Sequence, residues 1–479
     1  MQPILVIIAG LIFALIGTTS IAEERPNILF LFADDHAYDA TGLMSEGYVQ
    51  TPTIDKIASE GVYYQRAYNM GAWNAPVCAA SRSMLNTGKS LWNTKRLFDN
   101  KHLSSHYSWS QRLHNAGYTT FFAGKWHVSG YDPKQLFDYT GTIRPGMPAT
   151  KGDSNRPVQD QEDTWSPSNP ELEGYWKGGK HWSEVTADET IDFLKQRGSA
   201  GDSKPFFAYV AFNAPHDPRQ SPQKYLDLYP LKSVPLPPSF MPSYPYTKQM
   251  GIWDIRAETL APRPRTEFAI KVHRREYYAL ISHMDAQISR ILEELKNQGM
   301  SDNTVIIYTA DNGLSIGNHS FMAKQSMYDY SLASPLIISG PNIPKGIQSN
   351  QRIYIQDIMP TTLEIAGLAK SEFADVDFDS LLPLNQHATQ KHSSPIYGAY
   401  MDFSRCVIKG KWKLIYYPKA SRYRLFNLES DPHELSDLAH DPANKALIQE
   451  LFSTLSSLQS ELGDPYVPTP TMAMPAEKL

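Results

Sequence analysis

Cysteine is scarce in this chain, which has only Cys78 and Cys406 in 479 residues. A single bridge between two such distant positions is a poor scaffold for a chain of this size, which argues against a disulfide framework. An excess of basic residues is missing too, because 45 Lys and Arg face 50 Asp and Glu, for a formal net charge of −5. The absence of a basic field argues against a nucleic acid partner, so any polyanion must be bound by a local cluster of cations.

Charged side chains are also missing from the first 22 residues. An apolar run from Ile4 to Ile16 leads into small residues, with Ser20 and Ala22 placed as a signal cleavage site. This pattern predicts a signal peptide over 1–22 and a periplasmic or secreted protein, with no stable membrane insertion after cleavage. An uncleaved anchor is the alternative, for which the run is short.

Four apolar runs predict buried strands, and each run leads directly into a polar cluster. The runs cover 28–33, 118–123, 206–212 and 305–310, and the clusters begin at Asp34, Gly124, Asn213 and Asp311. Helical patterns precede three of the runs, at 108–115, 186–198 and 273–298. Continuous apolar runs that alternate with helices indicate an α/β sheet covered on both faces. The polar clusters should then meet beyond the carboxyl ends of the strands, where such sheets bind ligands.

The domain organisation follows from changes in composition along the chain. Residues 130–183 and 213–265 are polar insertions that follow strand ends, and we expect them to be substrate-binding loops. After Leu384 the pattern changes to short antiparallel strands and one helix. We therefore predict a catalytic domain over 23–384 and a smaller α+β subdomain over 385–479, with no internal repeats.

The segment from Cys78 to Arg82 opens a helical pattern that stops at Gly88. If the helix begins at or just after Cys78, its free N–H groups face that residue, and Arg82 follows one turn later. This arrangement suits an oxyanion. On these five residues alone, a buried structural cysteine beside a surface arginine is the alternative.

Acidic and amide side chains follow two of the predicted strands. Asp34, Asp35, Asp311 and Asn312 offer oxygen ligands, and clustered carboxylates would repel each other without a cation. Oxygen ligands favour Ca²⁺ or Mg²⁺ over zinc. Ordinary loop residues are the alternative for either pair considered alone.

Cations and proton donors are predicted at the same edge of the sheet. They are Lys125, His127, His216 and Lys324. Together with a metal they suit a tetrahedral oxyanion ester, whose non-bridging oxygens need neutralising and whose leaving oxygen needs a proton.

These motifs, in this order, resemble the type I sulfatases of the alkaline-phosphatase-like superfamily. The resemblance runs from Pro26 to Pro432 and rests on segments 33–35, 51–55, 78–88, 124–127, 215–218, 310–313, 324–328 and 425–428. It implies a mixed sheet sandwiched by helices, with a smaller C-terminal subdomain that carries a short antiparallel sheet.

The resemblance also implies that Cys78 is oxidised to formylglycine (3-oxoalanine) by a formylglycine-generating or anaerobic sulfatase-maturing enzyme. The hydrated aldehyde would attack sulfur and later expel sulfate. By the same resemblance, Ca²⁺ is held by Asp34, Asp35, Asp311, Asn312 and the modified Cys78. The implied catalytic residues are Arg82 and Lys125, which orient the diol, His127, which assists breakdown of the intermediate, His216, the general acid, and Lys324, which grips the sulfate. The chain departs from the motif at Ala80, where the family usually has proline.

The expected substrate is a sulfated carbohydrate, such as an algal carrageenan or ulvan. Within the insertions, Lys180, His181 and Arg219 are the predicted substrate-binding residues, because they lie nearest to recognisable motifs or strand ends. Two alternatives stay open: a phosphonate or phosphodiester hydrolase of the same superfamily, and an unmatured glycan-binding protein without activity.

Overall fold

The computed structural model describes residues 25–100, 108–201, 204–389, 394–466 and 474–475, so the predicted signal peptide lies outside the described residues. Within those ranges, we find no helix with the length and apolar character needed to cross a bilayer. The strands are β1 (Asn27–Ala33), β2 (Gly61–Tyr68), β3 (Gly71–Ala72), β4 (Thr119–Lys125), β5 (Tyr139–Arg144), β6 (Phe206–Ala211), β7 (Thr304–Ala310), β8 (Ala333–Ser339), β9 (Ile347–Ser349), β10 (Ile353–Tyr354), β11 (Ile396–Tyr400), β12 (Ser404–Lys409), β13 (Trp412–Tyr417), β14 (Arg422–Asn427) and β15 (Met474–Pro475).

The α-helices lie mainly between the strands of the first half of the chain and near its C-terminal end. They are α1 (Pro52–Ser59), α2 (Val77–Thr87), α3 (Leu91–Asp99), α4 (Trp109–Asn115), α5 (Pro133–Leu136), α6 (Trp182–Ala200), α7 (Gln223–Leu226), α8 (Glu267–Asn297), α9 (Asp329–Leu332), α10 (Ile358–Ile365), α11 (Leu384–Thr389) and α12 (Lys445–Leu462).

The larger sheet is mixed and has nine strands, in the order β10-β2-β8-β7-β1-β6-β4-β5, with β9 also paired to β2. Strands β7, β1, β6, β4 and β5 run parallel, whereas β8 is antiparallel to both of its neighbours. Ile28 in β1 lies opposite Phe207 on one side and Val305 on the other. The four predicted strands are therefore neighbours whose carboxyl ends reach one edge, as the sequence predicted.

Helices cover both faces of this sheet. Leu29 of β1 packs in a core that includes Met284 of α8, and the next residue, Phe30, packs in a separate core with Trp109 of α4. A strand buried on both faces needs apolar side chains at successive positions, which explains the uninterrupted run in β1. The α/β sandwich predicted from the sequence is confirmed.

A second sheet has the order β15-β14-β13-β12-β11-β3, with β11 to β14 antiparallel. Helix α12 packs on it through Leu451 and Leu455. Strand β3, at Gly71–Ala72, joins this sheet parallel to β11 and so comes from the N-terminal part of the chain. The domain boundary between residues 384 and 385 stays a prediction. This sheet contains strands from both sides of it, since β3 precedes the boundary and β11 to β15 follow it.

Candidate active site

Cys78 is the second residue of α2, and its side chain is buried. The helix ends at Gly88, whose φ of 66° is the left-handed cap that glycine adopts readily. Cys78 Sγ lies 3.2 Å from His127 Nδ1 and 3.4 Å from Lys125 Nζ. The start of α2 and the end of β4 therefore meet at the thiol, where the sequence placed an oxyanion.

The chain turns sharply after β1, where Asp35 has a φ of 67°. A non-glycine residue rarely adopts this conformation, and such residues cluster at functional sites. Two contacts hold the turn: the Asp35 N–H donates to Asp311 Oδ1 at 3.1 Å, and the Tyr277 hydroxyl donates to the Asp35 carbonyl at 2.7 Å. Asp34 and Asp35 are thus positioned by the end of β7 and by α8.

Three buried cations face the three carboxylates of the site. Arg82 Nε donates to Asp311 Oδ2 at 2.8 Å. The ammonium of Lys125 pairs with Asp34, and that of Lys324 pairs with Asp35. Paired in this way, the charges can be buried together, which none of them could be alone.

The carboxylates respond differently to this environment. Burial raises the pKa of Asp34, and the charges of Asp311 and Asp35 add to the effect, although Lys125 opposes it. Burial also tends to raise the pKa of Asp311. The positive charges of Arg82 and Lys125 have the larger effect and hold the pKa of Asp311 below its usual value. Negative charge is therefore less stable on Asp34 than on Asp311, and a cation beside Asp34 would stabilise it.

Two buried oxygens fit a metal ion. Asp34 Oδ1 and Asn312 Oδ1 have no hydrogen-bond partner among the residues described. Ligand atoms of Asp34, Cys78 and Asp311 lie within 4.8 Å of one another, as do those of Asp34, Asp35 and His216. Carboxylate and amide oxygens of this kind suit a hard divalent cation such as Ca²⁺.

Both predicted histidines lie beside the cluster. His127 has a φ of 52°, and burial, with Lys125 and Arg82 nearby, lowers the pKa of His127 to about 3. His216 Nδ1 lies 2.7 Å from the Asp217 carbonyl, and Nε2 lies 3.6 Å from Asp35 Oδ2. Burial lowers the pKa of His216 to about 4, against the effect of Asp217 and Asp35. Both shifts favour the neutral imidazole over the imidazolium.

Asp217 and Arg256 belong to the surroundings of the site, although neither is among the predicted site residues. Asp217 Oδ1 lies 3.4 Å from His216 Nδ1, and its other oxygen pairs with the Arg256 guanidinium. Arg256 Nη2 also contacts Asp153 Oδ2 at 2.5 Å, so it links the two insertions. The position of Asp217 directly after His216 is the signal that could have revealed it.

The predicted substrate-binding residues are dispersed. Lys180 is exposed and pairs with Asp188 of α6. Arg219 is buried, with Nη1 2.9 Å from His273 Nδ1, and its Nε and Nη2 have no hydrogen-bond partner among the described residues. Contact of either residue with a substrate stays a prediction.

His181 requires a correction. It is the N-cap of α6: its Nδ1 accepts the Ser183 N–H at 3.2 Å, and its Nε2 donates to the Gln220 carbonyl at 3.0 Å. The ring is fully buried with both nitrogens engaged, so it has no free group for a substrate.

Cys78 and Cys406 are both free thiols, in keeping with the argument against a disulfide.

Comparisons with known proteins identify two matching families and a set of similar proteins. The family described as "Sulfatase" matches residues 26–368, and the family "N-sulphoglucosamine sulphohydrolase, C-terminal" matches 317–461. An ulvan-active sulfatase of Formosa agariphila is 27% identical over 92% of this chain and 82% of its own length.

Two solved structures share the fold at low sequence identity. One is a structure in complex with its substrate D-glucosamine-2-N,6-O-disulfate, with a TM-score of 0.70, 20% identity, and coverage of 92% of this chain and 99% of that one. The other is a phosphonate monoester hydrolase of Agrobacterium radiobacter, with a TM-score of 0.65, 20% identity, and coverage of 91% and 96%.

Proposed function

The chain belongs to the sulfatase family and is a sulfuric ester hydrolase, and we propose that it removes sulfate from a sulfated carbohydrate. The substrate class proposed is an algal glycan such as ulvan or a carrageenan. Cys78 is converted to 3-oxoalanine in this proposal, and Ca²⁺ is bound by Asp34, Asp35, Asp311, Asn312 and the modified residue.

The observation that carries the proposal is the unpartnered pair of oxygens, Asp34 Oδ1 and Asn312 Oδ1, buried in a ring of cations around Cys78. Unsatisfied buried oxygens are costly, and a divalent cation would satisfy both. Bound calcium would neutralise charge on a sulfate oxygen, and hydrated 3-oxoalanine would supply an oxygen nucleophile at position 78.

The side chains around position 78 have distinct roles in this proposal. Lys125 and Arg82 hold the nucleophile in place, because Lys125 Nζ lies 3.4 Å from the Cys78 sulfur and Arg82 Nη1 is fixed 2.7 Å from the Lys125 carbonyl. Lys324 binds the non-bridging oxygens of the sulfate. His127, 3.2 Å from the sulfur, takes a proton from the group at position 78, and its lowered pKa keeps the ring neutral and its nitrogen available as the acceptor.

His216 is the proposed general acid. Its Nδ1 donates to the Asp217 carbonyl, which leaves Nε2 as the atom that transfers a proton to the leaving oxygen. Burial keeps the ring neutral in the free site, but a bound sulfate ester would add a negative charge and raise the pKa of His216.

A leaving-group comparison tests this role. Because p-nitrophenol is stable as an anion, its sulfate needs little help from an acid, whereas a sugar alkoxide needs a proton. We expect His216→Ala to lower kcat/KM about 100-fold on a sugar sulfate and less than about 10-fold on p-nitrophenyl sulfate. Equal losses on both substrates would rule out a general acid at position 216.

The substrate class is tested with matured protein and a panel of defined sulfated oligosaccharides, by released sulfate and product NMR. Phosphonate and phosphate diesters are assayed in parallel, since the superfamily alternative stays open. Sulfate release from at least one glycan at a higher kcat/KM than any phosphorus ester supports the proposal. Higher kcat/KM on a phosphorus ester, or sulfate release from aryl sulfates alone, contradicts it.

Metal binding has a readout apart from activity. Removing calcium with a chelator removes the stabilisation that calcium binding gives to the folded state, so the melting temperature should fall and should recover when Ca²⁺ is restored. Asp34→Asn should make the melting temperature insensitive to the chelator. A melting temperature that is independent of the chelator in the unaltered protein contradicts the metal site.

Localisation and maturation remain part of the proposal. We place the enzyme in the periplasm or outside the cell, because of the pattern in residues 1–22. A maturing enzyme is its required partner, and a protein that keeps the Cys78 thiol would be a glycan-binding protein without activity.

A further inference from the structure

A cavity of about 320 Å³ lies in the second insertion, outside the group of residues around Cys78. Its lining includes Trp253, Glu258, Arg263 and Arg265. Trp253 is 39% exposed, which is unusual for so large an apolar side chain. The cavity combines an aromatic surface with two guanidinium groups, and the sulfatase chemistry described above makes no use of it.

One of the two arginines is already neutralised. Arg265 Nη2 contacts Glu258 Oε2 at 2.5 Å, and Arg265 Nε donates to the Ser320 carbonyl at 3.0 Å. Arg265 is buried and holds this wall of the cavity together. Its charge therefore does not act on a ligand.

The charge of the second arginine, Arg263, is not closely paired with an acid. Arg263 stacks over Trp253, with its guanidinium carbon 4.2 Å from the ring centroid, and its Nη2 donates to the Trp253 carbonyl at 2.9 Å. The nearest acid, Glu258, lies 3.7 Å away and pairs more closely with Arg265, while Lys248 Nζ lies 5.4 Å from the same indole ring. The Arg263 side chain is 27% exposed, so the cavity presents a fixed, accessible positive charge.

The cavity is tied to the catalytic loops on two sides. Glu258 Oε1 accepts the Met322 N–H at 2.8 Å, and Met322 is two residues before Lys324. Two residues before Glu258, Arg256 pairs with Asp217, which follows the proposed general acid. The turn at Arg256–Thr259 therefore connects the wall of the cavity with the loops that carry Lys324 and His216.

We propose that this cavity binds a second anionic group of the substrate, a sulfate or a uronate carboxylate on a sugar unit next to the one that is desulfated. The inference rests on the proposed function and makes it more specific. A guanidinium binds sulfate or carboxylate through two parallel hydrogen bonds, and stacking on Trp253 holds it ready at little entropic cost. The substrate is then a glycan of at least two units with more than one negative charge.

The test compares Arg263→Gln with a matched control, Arg290→Gln. The control removes an exposed arginine of α8 that pairs with Asp188 of α6. Each matured enzyme is assayed on p-nitrophenyl sulfate and on sulfated oligosaccharides whose neighbouring unit is neutral, sulfated or uronate-bearing. In Arg263→Gln, the ratio of kcat/KM for the anionic oligosaccharides to that for the aryl sulfate should fall about 10-fold, mainly through KM. Arg290→Gln should leave that ratio unchanged.

Binding is measured separately, so that the cavity can be judged even if no glycan is cleaved. Cys78→Ala protein is titrated with the same oligosaccharides, and Arg263→Gln in that background should raise Kd about 10-fold for the anionic ones. Arg263→Lys, which keeps the charge, should restore part of the affinity. Whether the sulfated or the uronate-bearing oligosaccharides bind with the lower Kd identifies the anion that the cavity prefers.

Two results overturn the inference: an unchanged Kd in Arg263→Gln, or neutral oligosaccharides that bind as tightly as anionic ones. Absence of sulfate release from every substrate by the unaltered enzyme overturns the proposed function instead, because the binding measurement does not depend on turnover.

Discussion

At the scale of single residues, burial also changes the chemistry of acids to which the proposed mechanism gives no role. Asp357 precedes α10, and its Oδ2 accepts the Tyr354 N–H at 2.8 Å. Burial raises the pKa of Asp357 to about 8, with a further contribution from Asp379. The folded protein therefore binds a proton there that the unfolded chain has lost above about pH 4.

This makes stability depend on pH in a defined direction. The pKa of Asp357 is higher in the folded protein than in the unfolded chain, so only the unfolded chain loses this proton between about pH 4 and about pH 8. The free energy of unfolding therefore falls as the pH rises through this range. Asp357→Asn keeps an acceptor for Tyr354 but cannot ionise. Its melting temperature should exceed that of the unaltered protein by about 2 °C or more at pH 9, and by less at pH 5.

An exposed acid provides the control. Asp302→Asn should show no such trend, since its side chain lies at the surface. A difference between Asp357→Asn and the unaltered protein that is the same at both pH values contradicts this explanation.

Whether a residue's position could be predicted depended on its place in the sheet. Asp34 and Asp311 follow parallel neighbouring strands, so their proximity follows from two apolar runs and the rule for parallel sheets. Asp217 and Arg256 could not be paired in advance, because their contact depends on the path of a long insertion. No local pattern specifies such a path.

At the scale of elements, the start of α6 shows how a local rule can mislead. Thr186 and Glu189 match a capping box, yet the helix begins at Trp182, with His181 as its cap. The extra turn, 182–185, packs Trp182 in the core that also holds Phe121 of β4 and Phe206 of β6. Burial of the first turn outweighed the cap signal inside the helix.

The capping role of His181 is testable by substitution. His181→Ala removes the acceptor for the Ser183 N–H and the donor to the Gln220 carbonyl, so the free energy of unfolding should fall by about 1–2 kcal/mol. His181→Asn, a good cap, should recover part of it. We expect kcat/KM of the folded variants to stay near that of the unaltered enzyme.

The opposite outcome would restore the original prediction from the sequence. If His181→Ala left the melting temperature unchanged and lowered kcat/KM on sulfated oligosaccharides, the residue would be part of the substrate site rather than a helix cap.

At the scale of the whole molecule, a buried ionic cluster joins the two sheets. Lys413 of β13 donates to Asp329 Oδ1 at 2.8 Å and contacts Glu434 Oε1 at 2.7 Å. Asp329 opens α9, which leads directly into β8 of the larger sheet, whereas Glu434 follows β14 of the smaller one. The two parts of the fold therefore share one set of buried charges.

Removal of the shared cation should destabilise the whole chain. Lys413→Met leaves Glu434 without its buried cation and Asp329 with only Arg66, whose Nε lies 3.3 Å from Asp329 Oδ2. The loss should cost about 3 kcal/mol or more. Lys409→Met, which breaks an exposed pair with Glu450, should change the free energy of unfolding by less than about 1 kcal/mol.

Unfolding by urea, followed by tryptophan fluorescence and by circular dichroism, provides the measurement. If the fluorescence and circular dichroism transitions coincide, and both move to the same lower urea concentration in Lys413→Met, the result supports a core that the two sheets share. A variant in which only part of the signal shifts would show that the two sheets unfold independently.

Much of the overall architecture could be predicted, because buried parallel strands have a distinctive sequence. The runs that form β1, β4, β6 and β7 were identified within one or two residues at most of their bounds. Strands β2 and β8 were missed, since Gln65 and Arg66 interrupt the first and Pro335 interrupts the second. The pairing of β3 with β11 joins segments more than 300 residues apart, which no local pattern can indicate.

The central claim is that sulfate ester hydrolysis depends on chemistry at position 78. The most direct test coexpresses the chain with different amounts of a formylglycine-generating enzyme and quantifies 3-oxoalanine at Cys78 by mass spectrometry. The rate of sulfate release is then plotted against the converted fraction. The account predicts a straight line through the origin; a full rate from protein that retains the Cys78 thiol would contradict it.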